Sequence, residues 1–159
     1  MKTTLIATDG SLASREAVRF GVELAEEQGA VAVLVHVVPA LDVIPTPGFG
    51  ANGKVPHEVV ADDWTPLKDA AAVASERGIW SRTVLLQGDP ASQIVEHADE
   101  IGADLIVVGS RGHGAVASAL LGSVSRAVLH KARRPVLVVR EAAVPAADGS
   151  ARDEVLATG

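Results

Sequence analysis

The chain has no cysteine among its 159 residues. That absence excludes a disulfide framework, a thiolate zinc site and a cysteine nucleophile, and it fits a reducing compartment. Positive charge is also scarce. Lys and Arg total 14 against 20 Asp and Glu, giving a net charge of −6 and a pI near 5.3. Generic nucleic-acid binding needs a basic footprint, so that class is set aside. Apolar residues make up 48% of the chain, yet no run approaches the ~18 residues of a membrane span. The longest block, Val31 to Val38, is interrupted by His36. The N-terminal MKTTLIATDGS reaches an aspartate by position 9, too soon for the apolar segment of a signal peptide. No Gly-Lys-Ser/Thr occurs, which excludes a Walker loop. No H-E-x-x-H or His-x-His occurs, and His57, His97 and His130 lack metal-ligand spacing. Together these absences describe a soluble cytoplasmic protein with no membrane or nucleic-acid partner.

The apolar residues fall in five short blocks: Leu5 to Thr8, Val31 to Val38, Thr83 to Gln87, Asp104 to Gly109 and Pro135 to Arg140. The second, fourth and fifth are apolar on consecutive positions, the pattern of parallel strands buried on both faces. The third alternates more and predicts a place near a sheet edge. Helix-length segments separate the blocks. Residues 11–28 repeat small and apolar side chains at helical spacing, with a serine to cap the start and Gly29 to end it. Residues 57–77 predict a second helix stopped by Gly78. Asp89-Pro90 reads as an N-cap followed by a first-turn proline, opening a helix to about Ile101. Residues 123–132 predict a fourth. Strict alternation of strand and helix gives an open α/β fold with a parallel sheet. Its length fits one domain of about 150 residues, assigned to 1–140. Residues 39–56 predict a long Pro- and Gly-rich loop, and residues 141–159 a disordered tail. That tail holds four acids and one arginine, so half of the net charge lies outside the domain. Trp64 and Trp80 are expected in the partial core, and His36 as a hydrogen-bonded core residue. The basic group Arg126, Lys131, Arg133, Arg134 and Arg140 reads as a solvated helix end that complements the macrodipole.

The chemistry concentrates in Val107 to Leu129, with glycines at 109, 112, 114 and 122. Glycines let a ligand approach backbone amides closely, and free amides beside a helix N-terminus make an anion site. Gly122-Ser123-Val124-Ser125 opens the last helix, whose first amides lack intrahelical partners. The hydroxyls of Ser123 and Ser125 are candidate donors, and Arg111 and Arg126 supply charge if they point inward. Each feature also has a plainer reading. Asp9-Gly10-Ser11 makes a turn and helix cap, Ser123 an N-cap, and Gly109 a strand-end turn. Residues 112–117 match G-x-G-x-x-A, but a dinucleotide fingerprint belongs after the first strand with an acid ~20 residues on.

Gly109-x2-Gly112, nine residues and Gly122-Ser123 resemble the motif of the universal stress proteins, in their ATP-binding branch. The likeness runs over most of residues 1–140: ATDGSLAS at the start, LLQGDPASQIVEHADEIGADLIVVGSRGHG in the middle and RRPVLVVR at the end. It implies a five-stranded parallel sheet in the order 3-2-1-4-5 with helices on both faces, like the adenine nucleotide alpha hydrolases. In such a sheet, ligands sit where the strand order reverses, between the ends of the first and fourth blocks. By the same resemblance Asp9 faces the adenosine end of ATP and the Val37 backbone contacts adenine. Val108, Gly109 and Gly112 flank ribose and phosphates, while Gly122, Ser123, Val124 and Ser125 cradle the distal phosphates. Mg2+ or Mn2+ would be held through the phosphates and not by protein side chains. Arg111 and His113 occupy positions that vary in the family. The implied function is a nucleotide-dependent stress or regulatory module with an unknown protein partner, dimeric through the last strand (Val136–Arg140). The alternatives are a slow ATPase, with His113 as the one nearby candidate base, an AMP or cyclic AMP regulator, and a nucleotide-independent dimeric interaction module.

Overall fold

A computed structural model of the chain describes residues 2–42, 54–55, 57–114 and 120–141, with the backbone alone at 41–42 and 54–55. The strands are β1 (Thr3–Ala7), β2 (Val31–Val38), β3 (Leu41–Asp42), β4 (Lys54–Val55), β5 (Ser81–Gln87), β6 (Leu105–Gly109) and β7 (Val136–Val139). The helices are α1 (Leu12–Gln28), α2 (Thr65–Glu76), α3 (Pro90–Glu100) and α4 (Ser123–Lys131). Five strands form one sheet in the order β5-β2-β1-β6-β7, every pair parallel. With the small ribbon set apart, this is the 3-2-1-4-5 order implied by the resemblance.

Alternation along the strands divides the core into two layers. Leu5, Val33, Val35, Ile106 and Val108 meet Ala91, Ile94, Val95, Ala98 and Val128 of α3 and α4 on one face. Ile6, Ala32, Leu34 and Val107 meet Ala17, Val18, Val22, Leu67, Ala70 and Ala74 of α1 and α2 on the other. Leu5, Ile6, Leu34 and Ile106 are fully buried, each stabilising the fold by roughly 1.5–3 kcal/mol relative to exposure. The small residues on the helices let them lie close to the sheet, so the strand ends are held as a rigid frame.

Local signals set the helix ends. The Ser11 hydroxyl accepts from the Ser14 N–H at 3.4 Å, and Gly29, at φ 58°, ends α1 through its N–H to the Ala25 and Glu26 carbonyls. Asp89 accepts from the Ser92 N–H at 3.0 Å and Pro90 opens α3. The second helix departs from expectation. It spans only Thr65–Glu76, after a 3-10 turn at Ala61–Trp64. Pro66 sits in its first turn, where a missing N–H does no harm.

Other expectations are corrected too. The 39–56 loop carries the antiparallel ribbon β3–β4, while residues 43–53 and 56 lie outside the described residues. The tail lies there beyond residue 141. Trp80 is 71% exposed and Trp64 38%, so neither belongs to the core. Trp80 directly precedes the edge strand β5, and Trp64 lies on the 3-10 turn outside both layers. At the other edge, β7 is half-buried at all four positions, not buried on both faces, because only β6 pairs with it. The basic group is partly paired across α3. The Lys131 ammonium donates to Ser92 Oγ at 2.7 Å, and Arg134 bridges Asp99 at 3.0 Å and donates to the Ala103 carbonyl at 3.1 Å. Among the described residues no helix is long and apolar enough to cross a membrane.

Candidate functional site

The sheet order reverses between β1 and β6. A cleft of about 210 Å³ opens at this point. All nine sequence-predicted residues line it: Asp9, Val37, Val108, Gly109, Gly112, Gly122, Ser123, Val124 and Ser125. They come from the ends of β1, β2 and β6 and from the start of α4.

Among the described residues Asp9 is the one acid on these walls, and backbone amides hold its carboxylate. Oδ1 accepts from Ser11 N–H at 2.9 Å and Oδ2 from His113 N–H at 3.1 Å. Burial opposes its ionisation. The hydrogen bonds from Ser11, with help from Ser14 and His113, outweigh burial and hold the carboxyl below its usual range. The His113 ring adds a second tie, its Nε2 lying 2.9 Å from the Asp9 carbonyl oxygen. A carbonyl only accepts, so this nitrogen carries the proton. The glycine segment after β6 is thus fastened to the end of β1 at two points.

Two glycines are required by close approach. A Cβ on Gly112 would stand 2.5 Å from Asp9 Oδ2, and one on Gly109 would stand 2.7 Å from the Ala13 carbonyl carbon and the Ser14 nitrogen. The first would push out the carboxylate, and the second would collide with the first turn of α1.

At the opposite wall, Gly122 is the N-cap of α4, so Ser123 is the first helical residue and not the cap. The N–H groups of the first turn have no intrahelical acceptors and carry the positive end of the helix dipole. Ser125 departs from expectation as a hydroxyl donor to a ligand. Its Oγ donates to the Ser110 carbonyl at 2.9 Å and to the Gly122 carbonyl at 3.1 Å. One hydroxyl hydrogen shared between two carbonyls is already committed, so Ser125 offers its backbone amide instead.

Sequence reasoning missed several wall residues. Pro90 and Ile94 bring α3 into the cleft, and no motif links them to the glycine segment. His36 also lines the cleft and is only half-buried, with Nδ1 at 2.8 Å from the Thr8 carbonyl. Its expected hydrogen bond is present but its full burial is not. Ser110 is a buried hub. Its N–H donates to the Val139 carbonyl at 2.7 Å, and its carbonyl accepts from Gly122 N–H at 2.6 Å as well as from Ser125. Arg111 lines the cleft too and reaches Glu141. Among the described residues no three His, Asp or Glu side chains converge as a metal would need.

The family model described as "Universal stress protein family" matches residues 1–140. The chain belongs to the universal stress protein family. Universal stress protein YxiE of Bacillus subtilis is 38% identical over 144 residues, covering 86% of this chain and 97% of that protein. Among solved structures, a universal stress protein in complex with cAMP superposes with a TM-score of 0.65 at 28% identity, covering 87% of this chain and 95% of that one. The universal stress protein from Archaeoglobus fulgidus in complex with dAMP gives 0.62 at 26% identity, covering 87% and 98%. The family and its fold account for the position of the cleft at the strand-order reversal.

Proposed function

We propose that the cleft binds an adenine nucleotide, with ATP as the ligand, and that occupancy tunes a cytoplasmic stress or regulatory module. One observation carries the reading. The three glycines of G-x2-G-x9-G-S and the start of α4 close on a single cleft beside Asp9. Solved relatives bound to cAMP and dAMP support an adenosine subsite. In this reading Asp9 faces the adenosine end and the Val37 backbone meets adenine. Val108, Gly109 and Gly112 flank ribose and phosphates, and the amides of Ser123, Val124 and Ser125 take the distal phosphates. Asp9, the one carboxylate lining the cleft among the described residues, is already engaged by two amides, so a divalent cation fits on the phosphates and not in a protein cage. Its chemistry there is to neutralise phosphate charge.

Calorimetry and thermal unfolding test this. At about 100-fold Kd, binding contributes about 2.7 kcal/mol, and the unfolding midpoint should rise by about 5–10 °C. No heat and no shift with ATP, AMP or cyclic AMP, with or without Mg2+, removes the proposal.

We also infer a homodimer through β7. Among the described residues that strand pairs only with β6, and its three valines and one leucine, all half-buried, leave an edge suited to antiparallel pairing with a second copy. Light scattering at micromolar concentration should give twice the chain mass, and a monomer would refute the pairing.

A further inference from the structure

Arg111 is the only Lys or Arg lining the cleft among the described residues. Backbone contacts fix where it stands. A Cβ placed on Gly122 would come 3.3 Å from the Arg111 Cα, so Arg111 lies beside the N-cap of α4. The Arg111 carbonyl accepts from Ser11 Oγ at 3.4 Å, and the preceding residue is tied to β7 through the Ser110 N–H. Its guanidinium, one-third exposed, has Nη2 4.0 Å from Oε2 of Glu141, which follows β7. The backbone of Arg111 adjoins a helix N-terminus, and its guanidinium already has an anion near it from within the chain.

We infer that Arg111 is the residue by which the cleft discriminates ligands by phosphate number, and that Glu141 competes with the ligand for it. The inference rests on the adenine-nucleotide reading above. The physical reason is a division of labour. Amides hold any phosphate oxygen they can reach, and their dipoles fall off within one turn of the helix. A guanidinium binds phosphate through charge-assisted, forked hydrogen bonds, and its attraction grows with the charge delivered. Adenosine brings no charge to this end of the cleft and gains nothing from Arg111. ATP brings the most. Glu141 is about as exposed as Arg111, roughly one-third, and its ion pair is long, so it weakens phosphate binding only modestly. Asp9, the other charged residue on the walls among the described residues, is taken up by the Ser11 and His113 amides. Arg126 is exposed and directs its guanidinium to the Leu121 carbonyl at 3.4 Å, off the cleft wall.

The test is calorimetry on the full chain at pH 8, where an ordinary imidazole is neutral, without divalent metal, using adenosine, AMP, ADP and ATP. Arg111→Gln should weaken ATP by about tenfold and leave adenosine unchanged, with AMP between them. Arg111→Lys should recover part of the loss, and Arg126→Gln should lose less than Arg111→Gln. Glu141→Gln should tighten ATP by about threefold without moving adenosine. The phosphate role is overturned if Arg111→Gln weakens adenosine as much as ATP, or leaves ATP unchanged. An unchanged ATP affinity in Glu141→Gln overturns the competition. If the unsubstituted chain binds none of the four, the nucleotide reading itself falls and this inference with it.

Discussion

Gly109→Ala should lower the unfolding free energy by about 2–3 kcal/mol, the upper part of the range for overpacking, and the midpoint by about 5–10 °C. The added Cβ would lie 2.7 Å from the Ala13 carbonyl carbon and the Ser14 nitrogen, and 2.8 Å from the Ala13 oxygen. These are backbone atoms at the start of a helix and have no rotamer in which to yield. Relief requires α1 to move off β6, and that movement spreads. Ser14 Oγ accepts from the Asp9 N–H at 3.3 Å and lies 3.2 Å from Thr8 Oγ1, so the Asp9 turn shifts as well. Gly21→Ala is the informative control. Its Cβ would meet the Ile6 side chain, with Cδ1 at 2.9 Å and Cγ1 at 3.0 Å. Ile6 is fully buried and must shift by a few tenths of an ångström, but it is a side chain and not backbone, and alanine gains about 1 kcal/mol of helix propensity over glycine. Urea denaturation of the two variants should separate them clearly. A Gly109→Ala protein within about 0.5 kcal/mol of the parent would mean that α1 and β6 are less tightly apposed than the geometry requires.

Much of this frame is legible in the residues alone, because its signals are local. Consecutive apolar positions in Val31–Val38 and Leu105–Gly109 require burial on both faces, and Ser11, Asp89 and Gly29 carry their capping chemistry in the side chain or its absence. Pro66 was legible too, but the helical pattern of its neighbours hid it: a proline in the first turn sets the helix start at Thr65 and not at His57. Three other features are written nowhere in the local pattern. An aromatic side chain does not state its direction, so Trp80 reads as core and proves exposed. A serine in a first helical turn reads as a donor to a ligand, yet Ser125 Oγ finds two carbonyls first. The cleft's third wall, Pro90 and Ile94, comes from a helix between β5 and β6 that reaches the glycine segment only because the sheet brings the strand ends together. The pairing of Arg111 with Glu141 has the same origin, since β7 lies beside β6.

Gly122→Leu should weaken ATP by about 50-fold, a loss of somewhat over 2 kcal/mol, while adenosine binds nearly as before. Conformation does not demand glycine at this position. Gly122 sits at φ −71° and ψ 168°, extended backbone open to any residue, and as an N-cap. A Cβ would lie 3.3 Å from the Arg111 Cα, 3.4 Å from the Ser110 oxygen and 3.6 Å from the Gly112 nitrogen. Shifts of a few tenths of an ångström admit alanine, so Gly122→Ala should cost under about 1 kcal/mol of stability. In leucine the atoms beyond Cβ would start 3.6 Å from the Gly112 nitrogen and at the N-cap of α4, beside the amides of its first turn. They would shield the groups assigned to the phosphates without breaking the fold. The expected pattern is therefore specific: an unliganded midpoint close to that of Gly122→Ala, retained adenosine binding and lost ATP binding. Calorimetry with both ligands reads it directly. If Gly122→Leu binds ATP within about threefold of the parent, the phosphates lie elsewhere. The glycine at 122 would then serve only the tight N–H contact to Ser110 that joins α4 to β6.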